Sequence, residues 1–140
     1  MSTTLDTNVI VALLSQDHSL NFAAQKALDG AQNRGRLLIS APVLAELLAF
    51  PGRDEDFVAY FLQETRIEVD WDLSEETWRA AGRAFRGYVE RRRKQRDRGA
   101  RRILADFLVG AHALTGGHAL LTLDSSLYRS AFPRLKVISI

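Results

Sequence analysis

At 140 residues the chain is sized for a single domain, 1–140, able to bury about two-thirds of the surface its unfolded form would expose. It contains no cysteine, which excludes disulfide scaffolds and thiolate metal sites and fits a reducing cytosol. Net charge is only +2, but eight of the nineteen Lys and Arg residues fall in Arg91 to Arg102, "RRRKQRDRGARR", against one acid. That segment carries +7 and the remainder −5, a distribution that suits a phosphate-backbone footprint, an acidic peptide partner, or simply a solvated helix end.

The N-terminal stretch "MSTTLDTNVIVALL" has no basic leader, and its apolar run Val9 to Leu14 is far shorter than the ~20 residues of a membrane span, so a soluble, intracellular protein is expected. "TTLD" reads as a short strand that runs straight into the helical "TNVIVALL", with Asp6 at the junction. A helix "NFAAQKALDGA" ends at "NRG". "RLLIS" is a buried strand, and "APVLAELLAF" is a helix opened by Ser40 as N-cap and Pro42 in its first turn. Pro51-Gly52 breaks the chain. "DEDFVAYFLQE" places Phe57, Tyr60, Phe61 and Glu64 at helical spacing ahead of the strand-like "RIEVD".

Ser74, followed by Glu75 and Glu76, opens a long amphipathic helix through Trp78, Ala81, Phe85, Tyr88 and Val89, interrupted at Gly99. "ILADFLVGAHALT" is the next helix, closed by Gly116-Gly117. "HALLTLD" is a strand ending at Asp124, "SSLYRSAF" a short helix stopped by Pro133, and "LKVISI" a last strand. Short apolar strands alternating with helices predict an α/β sandwich around a mainly parallel sheet, a class that binds ligands at the carboxyl ends of its strands.

Four acids stand apart from the polar clusters that hold most of the others. Asp6 and Asp124 end strands, Glu46 is the only charge between Leu37 and Phe50, and Asp106 is the only one from Ile103 to Leu114. Burying an ionised carboxylate alone costs several kcal/mol, so each must be exposed, protonated, paired or coordinated. Asp6 and Asp124 could serve as N-caps, Glu46 could lie on an exposed stripe, and Asp106 could pair with Arg102 one turn earlier. A hard divalent ion, Mg²⁺ or Mn²⁺, would answer all four at once if they converge.

These segments resemble the motifs of PIN-domain ribonucleases, and among them the VapC toxins of toxin-antitoxin pairs. "LDTNVIVALL" is similar to the opening motif, with Asp6 as first metal-binding acid and Thr7 and Asn8 as its polar neighbours, Asn8 standing where the family often has Ser. "SAPVLAELLAF" resembles the second motif, with Glu46. "ILADFLVGAHAL" resembles the third, with Asp106 and His112, and "LLTLDSSLYRSAFP" the fourth, with Thr122 and Asp124. The resemblance covers nearly the whole chain and implies a three-layer α/β/α sandwich. It further implies a metal-dependent endoribonuclease, frequent homodimers, and inhibition by a VapB-type antitoxin.

In that reading one or two ions held by Asp6, Glu46, Asp106 and Asp124 activate water for attack on an RNA phosphodiester, and no side-chain nucleophile is needed. Arg91, Arg92, Arg93, Lys94, Arg101 and Arg102 then position the RNA backbone, and Trp71 and Trp78 are either base-stacking or core residues. His112 is read as a packed structural residue, and His18 and His118 as loop positions. Two other classes compete. One is a catalytically silent nucleic-acid or partner-binding domain of the same fold. The other is an aspartyl-phosphate phosphatase built on "LDTN", which lacks the usual second Asp at position 8 and offers only Lys136 as a late lysine.

Overall fold

The computed structural model describes residues 1–96 and 102–140. Their elements run β1 Thr3–Leu5, α1 Thr7–Leu14, α2 Asn21–Arg34, β2 Leu37–Ser40, α3 Ala41–Leu48, α4 Glu55–Thr65 and β3 Ile67–Asp70. The second half adds α5 Glu75–Gln95, α6 Leu104–Thr115, β4 Ala119–Thr122, α7 Ser125–Ala131 and β5 Val137–Ser139. Gly99 and Arg101 lie outside the described residues.

The five strands form one sheet of order β3-β2-β1-β4-β5, and every pairing is parallel. Register places Thr3 beside Leu37 and Ala119, and Leu5 beside Leu121. The apolar runs follow from this position. β1, β2 and β4 are interior strands buried at every residue, whereas the edge strands β3 and β5 carry exposed or half-exposed positions. The sheet is flanked by helices, the three-layer α/β/α arrangement expected.

From β1 the chain builds outward first through β2 and β3, then through β4 and β5 on the other side. The switch point therefore lies between β1 and β4, whose carboxyl ends lead into Asp6 and Asp124.

Helix α5 lies along α6 in the opposite direction. Thr77 and Thr115 share a hydroxyl hydrogen bond of 2.7 Å near one end. Toward the other, the Phe85 ring stacks on Phe107 at 4.6 Å and Tyr88 leans on the same ring at 5.4 Å. The buried face of α4 is Val58 and Leu62, one position on from the Phe57-Tyr60 spacing; Phe57 and Tyr60 are exposed. Trp71 and Trp78 are exposed as well, so neither belongs to the core. Ser40 occupies the N-cap of α3, but its hydroxyl makes no capping bond and is buried with no hydrogen-bond partner among the described residues.

Gly110 is the tightest backbone approach in the core: a Cβ there would run into the Phe132 ring, itself buried. Gly110→Ala is expected to destabilise the fold by roughly 1–3 kcal/mol through overpacking. Gly82, on the exposed side of α5 with open space around it, is the control. Gly82→Ala is expected to stabilise by about 0.5–1 kcal/mol. Urea unfolding of the two variants checks both signs.

Candidate active site

Asp6 leaves β1 at the switch point and caps α1. Its Oδ1 accepts the Thr7 N–H at 2.8 Å, and its Oδ2 accepts the Thr122 hydroxyl from β4 at 2.8 Å. The same Thr122 oxygen accepts the Asp124 N–H at 2.9 Å, so one hydroxyl orients both strand-end acids. Thr7 donates its own hydroxyl to Glu46 Oε1 at 2.8 Å, which draws the α3 acid to the foot of α1. Asn8 Oδ1 accepts the Leu123 N–H at 3.1 Å and fixes the loop between β4 and Asp124.

Asp106 enters from the start of α6 rather than its middle. It sits in the first turn, half-buried, and its carboxylate accepts the Ile103 N–H at 3.3 Å. The i to i+4 pairing with Arg102 also gives way. The Arg102 guanidinium meets Asp124 at 2.5 Å, and its charge reaches Asp106 only through space. Asp6, Glu46 and Asp124 are thus linked at the β1–β4 crevice through Thr7 and Thr122, while Asp106 reaches Asp6 and Asp124 through space; the tightest ligand cluster among the described residues lies elsewhere, at Asp70, His112 and His118.

The electrostatics record this crowding. Asp6 is 6% exposed. Burial pushes its carboxyl up to about 6, opposed by the bonds from Thr122 and Thr7 and reinforced by the charge of Asp106. Asp106 is raised by burial first and by Asp124 in addition, while Ile103 and Arg102 pull it down. Beneath them lies Tyr128, a residue that sequence reasoning passed over. Its hydroxyl is buried and held protonated by burial and by the charges of Asp6, Asp106 and Asp124. It is close enough to Asp6 to influence its titration, yet has no partner of good hydrogen-bond geometry. The available signal was its place in the first turn of the helix that follows Asp124.

An all-oxygen donor set of carboxylates and hydroxyls suits a hard cation such as Mg²⁺ or Mn²⁺, and a carboxyl raised by its burial is the setting such an ion relieves. Beside the acids, Tyr88 ties the basic helix end to the crevice. Its hydroxyl accepts the Arg102 N–H at 2.9 Å and the Arg92 guanidinium at 3.2 Å. A groove lined by Arg91, Arg92, Arg102, Ser126 and Ser130 runs alongside. Arg93 and Lys94 are exposed on the same helix end.

The PIN-domain family profile matches residues 3–133, and the chain belongs to that family. Solved structures of the same fold include a chain of VapBC2 from Rickettsia felis, at 23% identity and a TM-score of 0.72, with 99% of this chain and 98% of that one covered. A chain of VapBC-1 from nontypeable Haemophilus influenzae gives 21% identity and 0.68, with 99% and 98% covered. FitAcB from Neisseria gonorrhoeae gives 21% and 0.65, with 98% and 96% covered. No curated protein matches significantly.

A carboxyl whose folded pKa is raised costs stability once it ionises, so this contribution is absent below about pH 4 and grows as pH rises through about 6. In EDTA, Asp6→Asn is therefore expected to be more stable than the parent at pH 7, by up to about 2 kcal/mol, with the gap closing toward pH 4. Urea unfolding across that range measures it; a variant less stable at pH 7 than at pH 4 relative to the parent would contradict the assignment.

Proposed function

We propose that the protein is a metal-dependent endoribonuclease, the toxin of a VapBC-type toxin-antitoxin pair. What supports this reading is that Thr7 and Thr122 tie Asp6, Glu46 and Asp124 to the β1–β4 switch point, with Asp106 near enough for its charge to act on Asp6. Membership of the PIN family and the VapBC identity of the structural neighbours support it.

In this reading the four acids hold one or two Mg²⁺ or Mn²⁺ ions, which supply water activation and charge neutralisation for phosphodiester hydrolysis. The chain's own contribution is placement. Thr122 fixes the Asp6 carboxylate and the Asp124 backbone in one crevice, Thr7 turns Glu46 toward them, and Asn8 holds the loop at Leu123. Tyr128, kept protonated, closes the floor with a neutral group and so adds no further negative charge. Arg91, Arg92 and Arg102 line the adjoining groove, where cations steer a phosphate backbone that the acids alone would repel. Arg93, Lys94 and Arg101 extend the same basic surface in sequence. Exposed Trp71 and Trp78 are available for base stacking or for a protein partner. A VapB-type antitoxin and a second copy of the chain are the protein partners in this reading.

Asp106→Asn keeps the side-chain volume and the acceptor for Ile103, so the variant is expected to fold while losing Mg²⁺- or Mn²⁺-dependent cleavage of a structured RNA. Full activity in a folded variant would remove Asp106 from the site. RNA retention by the parent protein without cleavage is the behaviour of a silent binding domain and would overturn the nuclease reading.

Charge reversal of Arg92 and Arg93 is expected to weaken RNA binding at all sequences alike. Each lost phosphate contact should flatten the slope of log K against log salt by about 0.7 for single-stranded RNA. Filter binding at several salt concentrations checks it, and an unchanged slope would take the basic helix end out of the interface.

A further inference from the structure

Away from the acids, a second group of ligating side chains comes together. Asp70 ends the edge strand β3, His112 lies in the last turns of α6, and His118 immediately precedes β4. One ring nitrogen from each histidine and one carboxylate oxygen lie within 4.8 Å of one another. The two imidazoles face each other at 5.3 Å between centroids. His118 and Ser2 stand at the amino ends of β4 and β1, a strand length from Asp124 and Asp6 at the carboxyl ends.

We propose that Asp70, His112 and His118 form a separate metal site for a borderline divalent ion, Zn²⁺ in the first instance. The donor set itself sets the class: two imidazoles and one carboxylate favour Zn²⁺ over Mg²⁺, which takes oxygen ligands and keeps its waters. His112 is 3% exposed, and while its Nε2 meets Asp70 Oδ2 at 2.9 Å, its Nδ1 is buried with no hydrogen-bond partner among the described residues.

The surroundings are arranged for His118 to act as a ligand. Ser2 Oγ and His118 Nδ1 share a hydrogen bond of 2.5 Å, which orients the ring in the manner of an outer-shell partner. Gly116 leaves free the space that a side chain would take from the His118 ring. Arg36, whose charge reaches His118, is paired with Glu68 at 2.7 Å.

Donors about 2.1 Å from a shared tetrahedral ion stand nearer than the present limit, so closure asks the outermost pair to draw in by roughly an ångström. Asp70 and His118 are both partly exposed and have room to do so. The ion would replace the proton now shared by His112 and Asp70. It would clamp the end of α6 to β3 and to the start of β4, fixing from behind the helix that carries Asp106.

The test is calorimetric titration of Zn²⁺ alone into the EDTA-stripped full chain at pH 7, repeated with Co²⁺ to read the tetrahedral visible bands. His118→Gln, Asp70→Asn and Asp6→Asn serve as variants, each checked for fold by circular dichroism. The parent and Asp6→Asn are expected to share one equivalent that gives the tetrahedral Co²⁺ bands, counted apart from any ion the crevice acids take. Both other variants should bind at least about tenfold more weakly and lose the tetrahedral bands. Because Asp70 is partly exposed at a strand end, Asp70→Asn carries the test if His118→Gln does not fold. Equal binding by the parent and the folded Asp70→Asn or His118→Gln protein, loss in Asp6→Asn alone, or no uptake by the parent would overturn the proposal. None of these results depends on whether the protein cleaves RNA.

Discussion

A carboxylate set at the buried end of a central strand governs this molecule. Asp6 follows β1, the central strand of the five, and the all-parallel sheet brings the carboxyl ends of its strands to one edge. The 2.8 Å bond from Thr122 joins residues 116 apart in sequence and locks the Asp6 carboxyl into the crevice between β1 and β4. Everything polar nearby is organised around that point: Thr7 passes the arrangement on to Glu46, and the Asp124 N–H returns to Thr122. The cost of setting carboxylates there appears in the Asp6 and Asp106 carboxyls, raised by burial first and by a neighbouring acid second, and in the protonated Tyr128 close by. A fold selected for stability alone would place apolar groups at these positions.

The positive side of the balance comes from the chain as well. Arg102 reaches Asp124, its backbone N–H binds the Tyr88 hydroxyl, and the same hydroxyl receives Arg92 from the end of α5. Tyr88 thus joins the basic helix end to the acidic crevice, while its ring packs on Phe107 one residue beyond Asp106. Under the proposed function this coupling matters, because an arginine that neutralises Asp124 in one circumstance is placed to meet a phosphate when a cation takes over that carboxylate. Packing, charge and substrate position are then set by neighbouring atoms rather than by separate modules.

Asp6 and Asp124 were legible in the sequence because strand ends are marked by where apolar runs stop, and parallel sheets collect those ends. Glu46 was legible as an isolated charge. Asp106 was singled out by its apolar surroundings, and the apolar run begins at Ile103, which is the cap, so the acid falls in the first turn and is half-buried. The alternative reading, an i to i+4 pair with Arg102, is not met because Arg102 precedes that helix and turns to the next strand end instead. The aromatic residues of α4 misled for a related cause. Helical spacing identifies a stripe, but not which of two adjacent stripes is buried: in α4 Val58 and Leu62 are buried while Phe57 and Tyr60 are exposed, whereas in α5 the expected stripe holds at Ala81, Phe85 and Tyr88 and only its margins, Trp78 and Val89, are exposed. The Asp70-His112 contact spans 42 residues and depends on an α6 path across the sheet that local pattern does not contain.

The central claim is that Asp6, Glu46, Asp106 and Asp124 share a divalent cation at the β1–β4 switch point. Anomalous scattering from crystals grown with Mn²⁺ tests it most directly. A peak about 2.2 Å from oxygens of Asp6 and at least two of the other three acids, with Arg102 turned away from Asp124, is the expected result. A Mn²⁺-saturated crystal with no peak in that crevice, and Arg102 still bound to Asp124, would contradict it.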